Sequence, residues 1–185
     1  MIKNSQRLQI EKTGLLVVDI QERLLPAMHE KERVAQNAIR LVKGASVLGL
    51  TAWVTEQYRK GLGGTIPEIV AAMPDFKPIE KMAFSACQAD GLLEALRARE
   101  TENVLLCGIE CHVCVCMTCL DLIAQGFKPF IVADAVSSRT SENCGIGIER
   151  MRQAGAVIVS TEMALFELLD RADASAFKQI LNLVK

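Results

Sequence analysis

The chain of 185 residues reads as an α/β protein, a parallel sheet with helices on both faces. Three observations predict this. Short apolar runs rich in Val, Leu and Ile alternate six times with longer stretches of helical periodicity. Those runs are continuous rather than alternating, as in strands covered on both sides. No repeat, low-complexity tract or Pro/Gly/Ser-rich linker divides the chain, so its length suits one domain over residues 1–185.

Residues 14–20 (GLLVVDI) form the first predicted strand. Val34, Ile39, Leu41, Val42, Ala45 and Leu48 then recur at helical intervals up to the terminator Gly49. Residues 50–55 (LTAWVT) make strand two, and residues 56–65, with three glycines, read as a loop. A short helix over 66–73 ends at the breaker Pro74, and residues 77–79 give a brief third strand. Residues 89–99 are helical and 103–109 (NVLLCGI) form strand four. Helix 113–125 stops at Gly126, strand five covers 128–133, and helix 142–154 stops at Gly155. Residues 156–160 form strand six, followed by helical segments over 162–169 and 174–184.

Half the residues are hydrophobic, enough for a sizeable core, and 21 Lys and Arg balance 22 Asp and Glu for a formal charge of −1. That balance gives no support for binding nucleic acid or anionic membranes, and although a local basic patch stays open none stands out as a run, so neither is expected as a partner. No apolar stretch approaches the roughly 18–20 residues that cross a bilayer. The polar N-terminal stretch MIKNSQRLQIEK lacks a signal-peptide pattern. The seven cysteines are odd in number and the chain is not small, which points to reduced thiols and a cytoplasmic setting rather than a disulfide framework.

In open parallel sheets, ligands sit beyond the carboxyl ends of the strands, where strand order reverses, so residues following each strand are the candidates. Asp19 lies at the end of the first apolar strand and must be paired, hydrogen-bonded or protonated if buried; a helix cap is the plain alternative. Lys81 follows strand three, flanked by Glu80, and a solvated lysine is its plain alternative. Residues 108–119 (GIECHVCVCMTC) join strand four to a helix. A thiol at such a turn has its anion favoured by the helix dipole, and backbone N–H groups there suit an oxyanion. Cys111 and Cys114 have that position; Cys107, Cys116, Cys119 and Cys144 read as small buried hydrophobes. A four-cysteine zinc site is disfavoured, because Cys111 and Cys114 fall within about 60° of each other on a helix and point away from the Cys116–Cys119 pair. With only His29 and His112 present, a histidine-rich metal centre is not expected, and neither is a cofactor. If the order runs 3-2-1-4-5-6, strands one and four adjoin at the reversal, and Asp19 and Cys114 share one crevice with Lys81 in support.

Seven stretches carry a resemblance to the isochorismatase-like cysteine hydrolase superfamily, and within it to the isochorismatase-domain-containing proteins. They are residues 16–21 (LVVDIQ), 55–63 (TEQYRKGLG), 81–85 (KMAFS), 108–115 (GIECHVCV), 133–139 (ADAVSSR), 149–155 (ERMRQAG) and 160–169 (STEMALFELL). The resemblance implies a three-layer α/β/α fold with sheet order 3-2-1-4-5-6 and a triad of Asp19, Lys81 and Cys114. It implies Asp19 as base and later acid, Cys114 as nucleophile and Lys81 as electrostatic support for both. A cis peptide at Ile109–Glu110 is also implied, turning the N–H groups of Cys111 and Cys114 toward an oxyanion. Cys111 departs from the family's usual threonine, and residues 56–60 (EQYRK) lack the histidine that metal-binding relatives carry.

The expected activity is a metal-independent hydrolase of a small amide, carbamoyl or related substrate, acting through an acyl-thioenzyme. Gln21, Tyr58, Phe84 and His112 are pocket candidates, and homo-oligomers are expected from the family. Two other readings stand beside it: vinyl-ether hydrolysis of the isochorismate type by Asp19 and Lys81, and a non-catalytic redox or binding protein exchanging Cys111 with Cys114.

Overall fold

Six strands pair in parallel throughout: β1 (Thr13–Val18), β2 (Ala52–Gln57), β3 (Ile79–Lys81), β4 (Asn103–Ile109), β5 (Lys128–Ser137) and β6 (Val157–Val159). In this computed structural model, which describes residues 7–185, the order is β3-β2-β1-β4-β5-β6. The first six residues, part of the polar N-terminal stretch, lie outside the described residues. The order reverses between β1 and β4, where Val17 stands beside Cys107 and Val18 beside Gly108.

Every residue of β1 and β4 is buried, as their unbroken apolar runs require. Leu15, Val17, Leu105 and Phe130 face one layer, formed by α1 (Lys31–Leu48), α7 (Thr161–Leu169) and α8 (Phe177–Val184). Leu16, Val18, Leu106 and Ile131 face the other, formed by α4 (Leu92–Ala98), α5 (Cys116–Ala124) and α6 (Ser141–Gln153). Two small helices, α2 (Arg59–Leu62) and α3 (Pro67–Ala72), fill the β2–β3 connection, the first inside the segment read as loop. Among the described residues no helix is long and apolar enough to cross a membrane.

The strand boundaries carry three corrections. β2 runs on to Gln57, so Glu56 and Gln57 belong to the sheet rather than to a loop. Lys81 is the last residue of β3, paired with Gln57, instead of following the strand. β5 extends to Ser137 through a register shift opposite Leu106–Gly108. The shift has a structural cause at Asp134: its carbonyl accepts Arg33 Nη1 at 2.6 Å and Asn37 Nδ2 at 2.8 Å, while its carboxylate accepts the Thr161 N–H at the start of α7. Those bonds hold Asp134 against α1 and α7, and a period-two reading has no means of anticipating them.

The carboxyl edge of the sheet is shaped by a shared device. β1, β2 and β4 each exit through one left-handed residue that is not glycine: Asp19 (φ 56°), Tyr58 (φ 38°) and Glu110 (φ 53°). Such residues persist only where surroundings hold them, and they concentrate at functional sites. Between them, β1 and β4 approach so closely that a Cβ on Gly108 would stand 2.2 Å from the Val18 carbonyl oxygen. Glycine is required there, one residue before the chain reaches Asp19 on the neighbouring strand.

Candidate active site

Asp19 and Lys81 meet as a fully buried ion pair, Nζ to Oδ2 2.6 Å, with no exposure of either side chain. An ion pair taken out of water survives only when its remaining hydrogen-bonding groups are matched. Here they are. Thr55 donates its hydroxyl to Asp19 Oδ1 at 2.7 Å, and Lys81 Nζ donates to Gln57 Oε1 at 2.7 Å and to the Phe84 carbonyl at 3.0 Å. The helix-cap and solvated-lysine alternatives are therefore set aside: Asp19 spends its oxygens on Thr55 and Lys81, and Lys81 points inward.

Cys114 joins this pair from the turn after β4. Burial, with the charge of the neighbouring Asp19, pushes its thiol up to about 12, against the opposing pull of Lys81. The direction of that shift is the reverse of the one helix-end reasoning favours. The structure brings together Asp19, Lys81 and Cys114.

The turn itself is wider than an α-helical one. Residues Cys111–Val115 form a π-helical turn before α5, with the Val115 N–H reaching back to the Glu110 carbonyl at 3.4 Å. Insertions of this kind often occur where a helix serves a site. Thr118 fixes it in place, donating its hydroxyl to the Cys114 carbonyl at 2.6 Å and accepting the Ala86 N–H at 2.8 Å. The Cys114 turn and the segment following Lys81 are therefore tied to one threonine.

The implied cis peptide is not found. Among the described residues there is no cis bond, and the reversal out of β4 is made by Glu110 in its left-handed conformation. The Glu110 carboxylate anchors that turn, paired with Arg139 Nε at 3.0 Å and 3.5 Å from His112 Nδ1.

Cys111 does not join Cys114 either. Its thiol donates to the Cys144 carbonyl at 3.7 Å and lies in hydrogen-bonding reach of the Cys144 thiol, so the Cys111–Cys114 exchange pair gives way to a different neighbour. Cys144 is half-buried rather than a core hydrophobe. Among the described residues, no group of three or more His, Cys, Asp or Glu side chains is placed to hold a metal ion.

The four pocket candidates divide. Gln21 is fully buried and its amide is consumed by the scaffold: Nε2 donates to the Gln57 and Gly63 carbonyls, and Oε1 accepts the Gln57 N–H. It clamps β2 to the 58–63 segment. Tyr58 and Phe84 are exposed, as is Met82, two residues before Phe84, at 71% exposure. Tyr58, Lys81 and Met82 line a cleft of about 350 Å³. His112 Nδ1 sits 2.9 Å from Ser138 Oγ at the end of β5. Thr55, Gln57, Ser138 and Arg139 went unread although Thr55 ends the predicted strand two and Gln57 lies in a matched stretch. Polar residues at strand ends were the available signal.

The comparisons with known proteins agree with this architecture. The isochorismatase domain model matches residues 13–163. The secreted isochorismatase effector Isc1 of Phytophthora sojae (strain P6497) is 39% identical over 192 residues, spanning 99% of this chain and 89% of its own. Among solved structures, the MAR1 ribonuclease of Caenorhabditis elegans is 33% identical with a TM-score of 0.90, covering 96% of this chain and 92% of its own. The YcaC gene product of Escherichia coli, described as an octameric hydrolase of unknown specificity, is 25% identical with a TM-score of 0.90 over 98% of this chain and 92% of its own. With the parallel sheet, its reversal point and these matches together, the chain belongs to the isochorismatase-like hydrolase family.

Proposed function

We propose that the protein is a metal-independent cysteine hydrolase cleaving a small amide, carbamoyl or related C–N bond. The observation that carries this is the fully buried Asp19–Lys81 ion pair at the reversal point of the sheet, with the Cys114 thiol close enough to feel both charges. In this reading Asp19 takes the thiol proton as sulfur attacks the carbonyl, so no free thiolate is needed beforehand. Lys81 keeps Asp19 ionised before the transfer. The tetrahedral oxyanion rests on backbone N–H groups of the turn at Cys111 and Cys114. Asp19 returns the proton to the leaving amine, then activates the water that frees the acid from the thioester.

The test is intact-mass spectrometry after exposure to a pooled amide and carbamoyl library, which reads the acyl group left on the protein. An adduct on Cys114 in the parent and none in Cys114→Ala is the expected result. Undiminished turnover in Cys114→Ala overturns the nucleophile.

A second reading, vinyl-ether hydrolysis by Asp19 and Lys81, draws support from the relative named an isochorismatase effector. Isochorismate turnover retained in Cys114→Ala and lost in Asp19→Asn selects it. RNA belongs in the same panel because a structural neighbour is named a ribonuclease, although 21 basic against 22 acidic residues give no support for binding it.

Self-association completes the proposal. Exposed Tyr58, Met82 and Phe84 offer an apolar rim beside Lys81, and the YcaC neighbour is octameric. Light scattering on the purified chain is expected to give a mass above one protomer. A cytoplasmic setting fits seven unbridged thiols, while the Isc1 relative is named as secreted; cell fractionation decides.

A further inference from the structure

Cys111 stands three residues before Cys114 and serves a different neighbour. It is fully buried, and its thiol faces the carbonyl and the thiol of Cys144. Cys144 occupies the first turn of α6, its N–H bonded to the Thr140 carbonyl, and it is half-buried, so solvent reaches it. The two elements are held at a fixed separation. A Cβ on Gly147 of α6 would stand 2.9 Å from His112 Cα, leaving no room for anything but glycine between the helix and the turn.

The electrostatics divide the two thiols into complementary roles. A hydrogen bond from Cys111, helped by Arg33, holds the Cys144 thiol below its ordinary value against burial and the Glu30 charge. That same bond, with burial, drives Cys111 up. The accessible sulfur of Cys144 is the one an oxidant reaches first, and the buried sulfur of Cys111 is placed to resolve it, the division found between an attacking and a resolving cysteine.

We propose that Cys111 and Cys144 form a reversible disulfide on contact with hydrogen peroxide, and that this bridge restrains the turn carrying Cys114. The Cys144 thiolate attacks one peroxide oxygen, the O–O bond breaks, and hydroxide leaves to be protonated to water. Cys144 is then a sulfenic acid. The Cys111 sulfur attacks the Cys144 sulfur, the S–O bond breaks, and the hydroxyl departs with the Cys111 proton as a second water. Two thiols are oxidised to one disulfide, and a dithiol reductant reverses the step. The bridge would tie the first residue of the π turn to α6 at the separation they already hold. Its effect on activity rests on Cys114 being the nucleophile; its formation does not.

The test treats the full chain with hydrogen peroxide, blocks remaining thiols with iodoacetamide, and digests without reductant; trypsin cuts between the two residues after Arg139. The expected result is loss of two hydrogens from the intact protein and a cross-linked peptide pair that fragmentation assigns to Cys111 and Cys144. The bridge should disappear in Cys144→Ser and on treatment with dithiothreitol. In Cys111→Ser, which keeps a donor at that position but cannot resolve the product, Cys144 should accumulate as a sulfenic acid trapped by dimedone. A bridge from Cys111 to Cys114, a bridge between chains, or Cys144 left as a free thiol overturns the proposal. Iodoacetamide labelling of Cys114 should be slower after oxidation in the parent chain and unchanged in Cys144→Ser; equal rates in the parent overturn the restraint. If Cys114 in the reduced protein takes no acyl adduct, the hydrolase reading fails while the bridge stands.

Discussion

Cys114 and Cys144 hold matching places in the fold: each sits at the amino-terminal end of a helix on the same face of the sheet, yet their thiols are driven in opposite directions. Cys114 is raised to about 12, because burial and the neighbouring Asp19 charge outweigh Lys81. Cys144 is lowered, because a thiol donor and Arg33 outweigh burial and Glu30. The helix end is common to both, so it does not decide the outcome. Burial is the larger cause at Cys114 and Asp19 adds to it, whereas at Cys144 the hydrogen bond from Cys111 outweighs burial. The Asp19 carboxylate adds to the rise at Cys114, and the thiol donor at Cys144 works the other way.

The contrast breaks hardest at Lys81. Lys81→Met strands the buried Asp19 charge, and losing one partner of a buried pair costs about 3–5 kcal/mol, readable as a lower midpoint in urea unfolding. The Cys114 thiol should also rise further, since the opposing cation is gone, and its alkylation at a given pH should slow. Asp19→Asn tests the sign directly. It removes the charge that raises Cys114, so the alkylation inflection should move to lower pH while acyl transfer collapses for want of a base. An inflection that stays put or climbs assigns the shift to burial alone.

Thr55→Val keeps the shape but removes the hydroxyl that donates to Asp19 Oδ1. Hydrogen bonds to charged groups contribute about 1.5–3 kcal/mol, so a stability loss in that range is expected in the same unfolding assay. The smallest effect falls on the other thiol. Arg33→Ala should raise Cys144 and slow its reaction with iodoacetamide, but less than Cys111→Ala does, because the hydrogen bond from Cys111 is the larger cause. If Arg33→Ala exceeds Cys111→Ala, the ranking of donor over charge is wrong. The same series leaves Cys114 unchanged if the two regions are independent.

Much of the fold was legible because it depends on which faces are covered. β4 was read with the bounds it has, since its seven residues are all buried and its apolar run has no competing pattern. β3 was misplaced by two residues because it is only three residues long, and Lys81, a charged strand residue, is a core position only through its pairing with Asp19. Gln21 was read toward a pocket because a polar residue beside a candidate site suggests contact with ligand. Its three hydrogen bonds to distant backbone groups show a clamp instead, and nothing local in the sequence encodes those partners.

The order of apolar runs and turn residues alone determined a parallel sheet, since burying continuous Val and Leu strands demands helices on both faces; its reversal beside Asp19 is what the family resemblance implied. Which chemistry-bearing groups touch was decided only by the tertiary structure. Cys111 and Cys114 are near neighbours in the chain, but the π turn sends one to Cys144 and the other to Asp19. The physical reason is that the charge and proton affinity of a buried group depend on what surrounds it in space, and those neighbours come from strands and helices far apart in sequence.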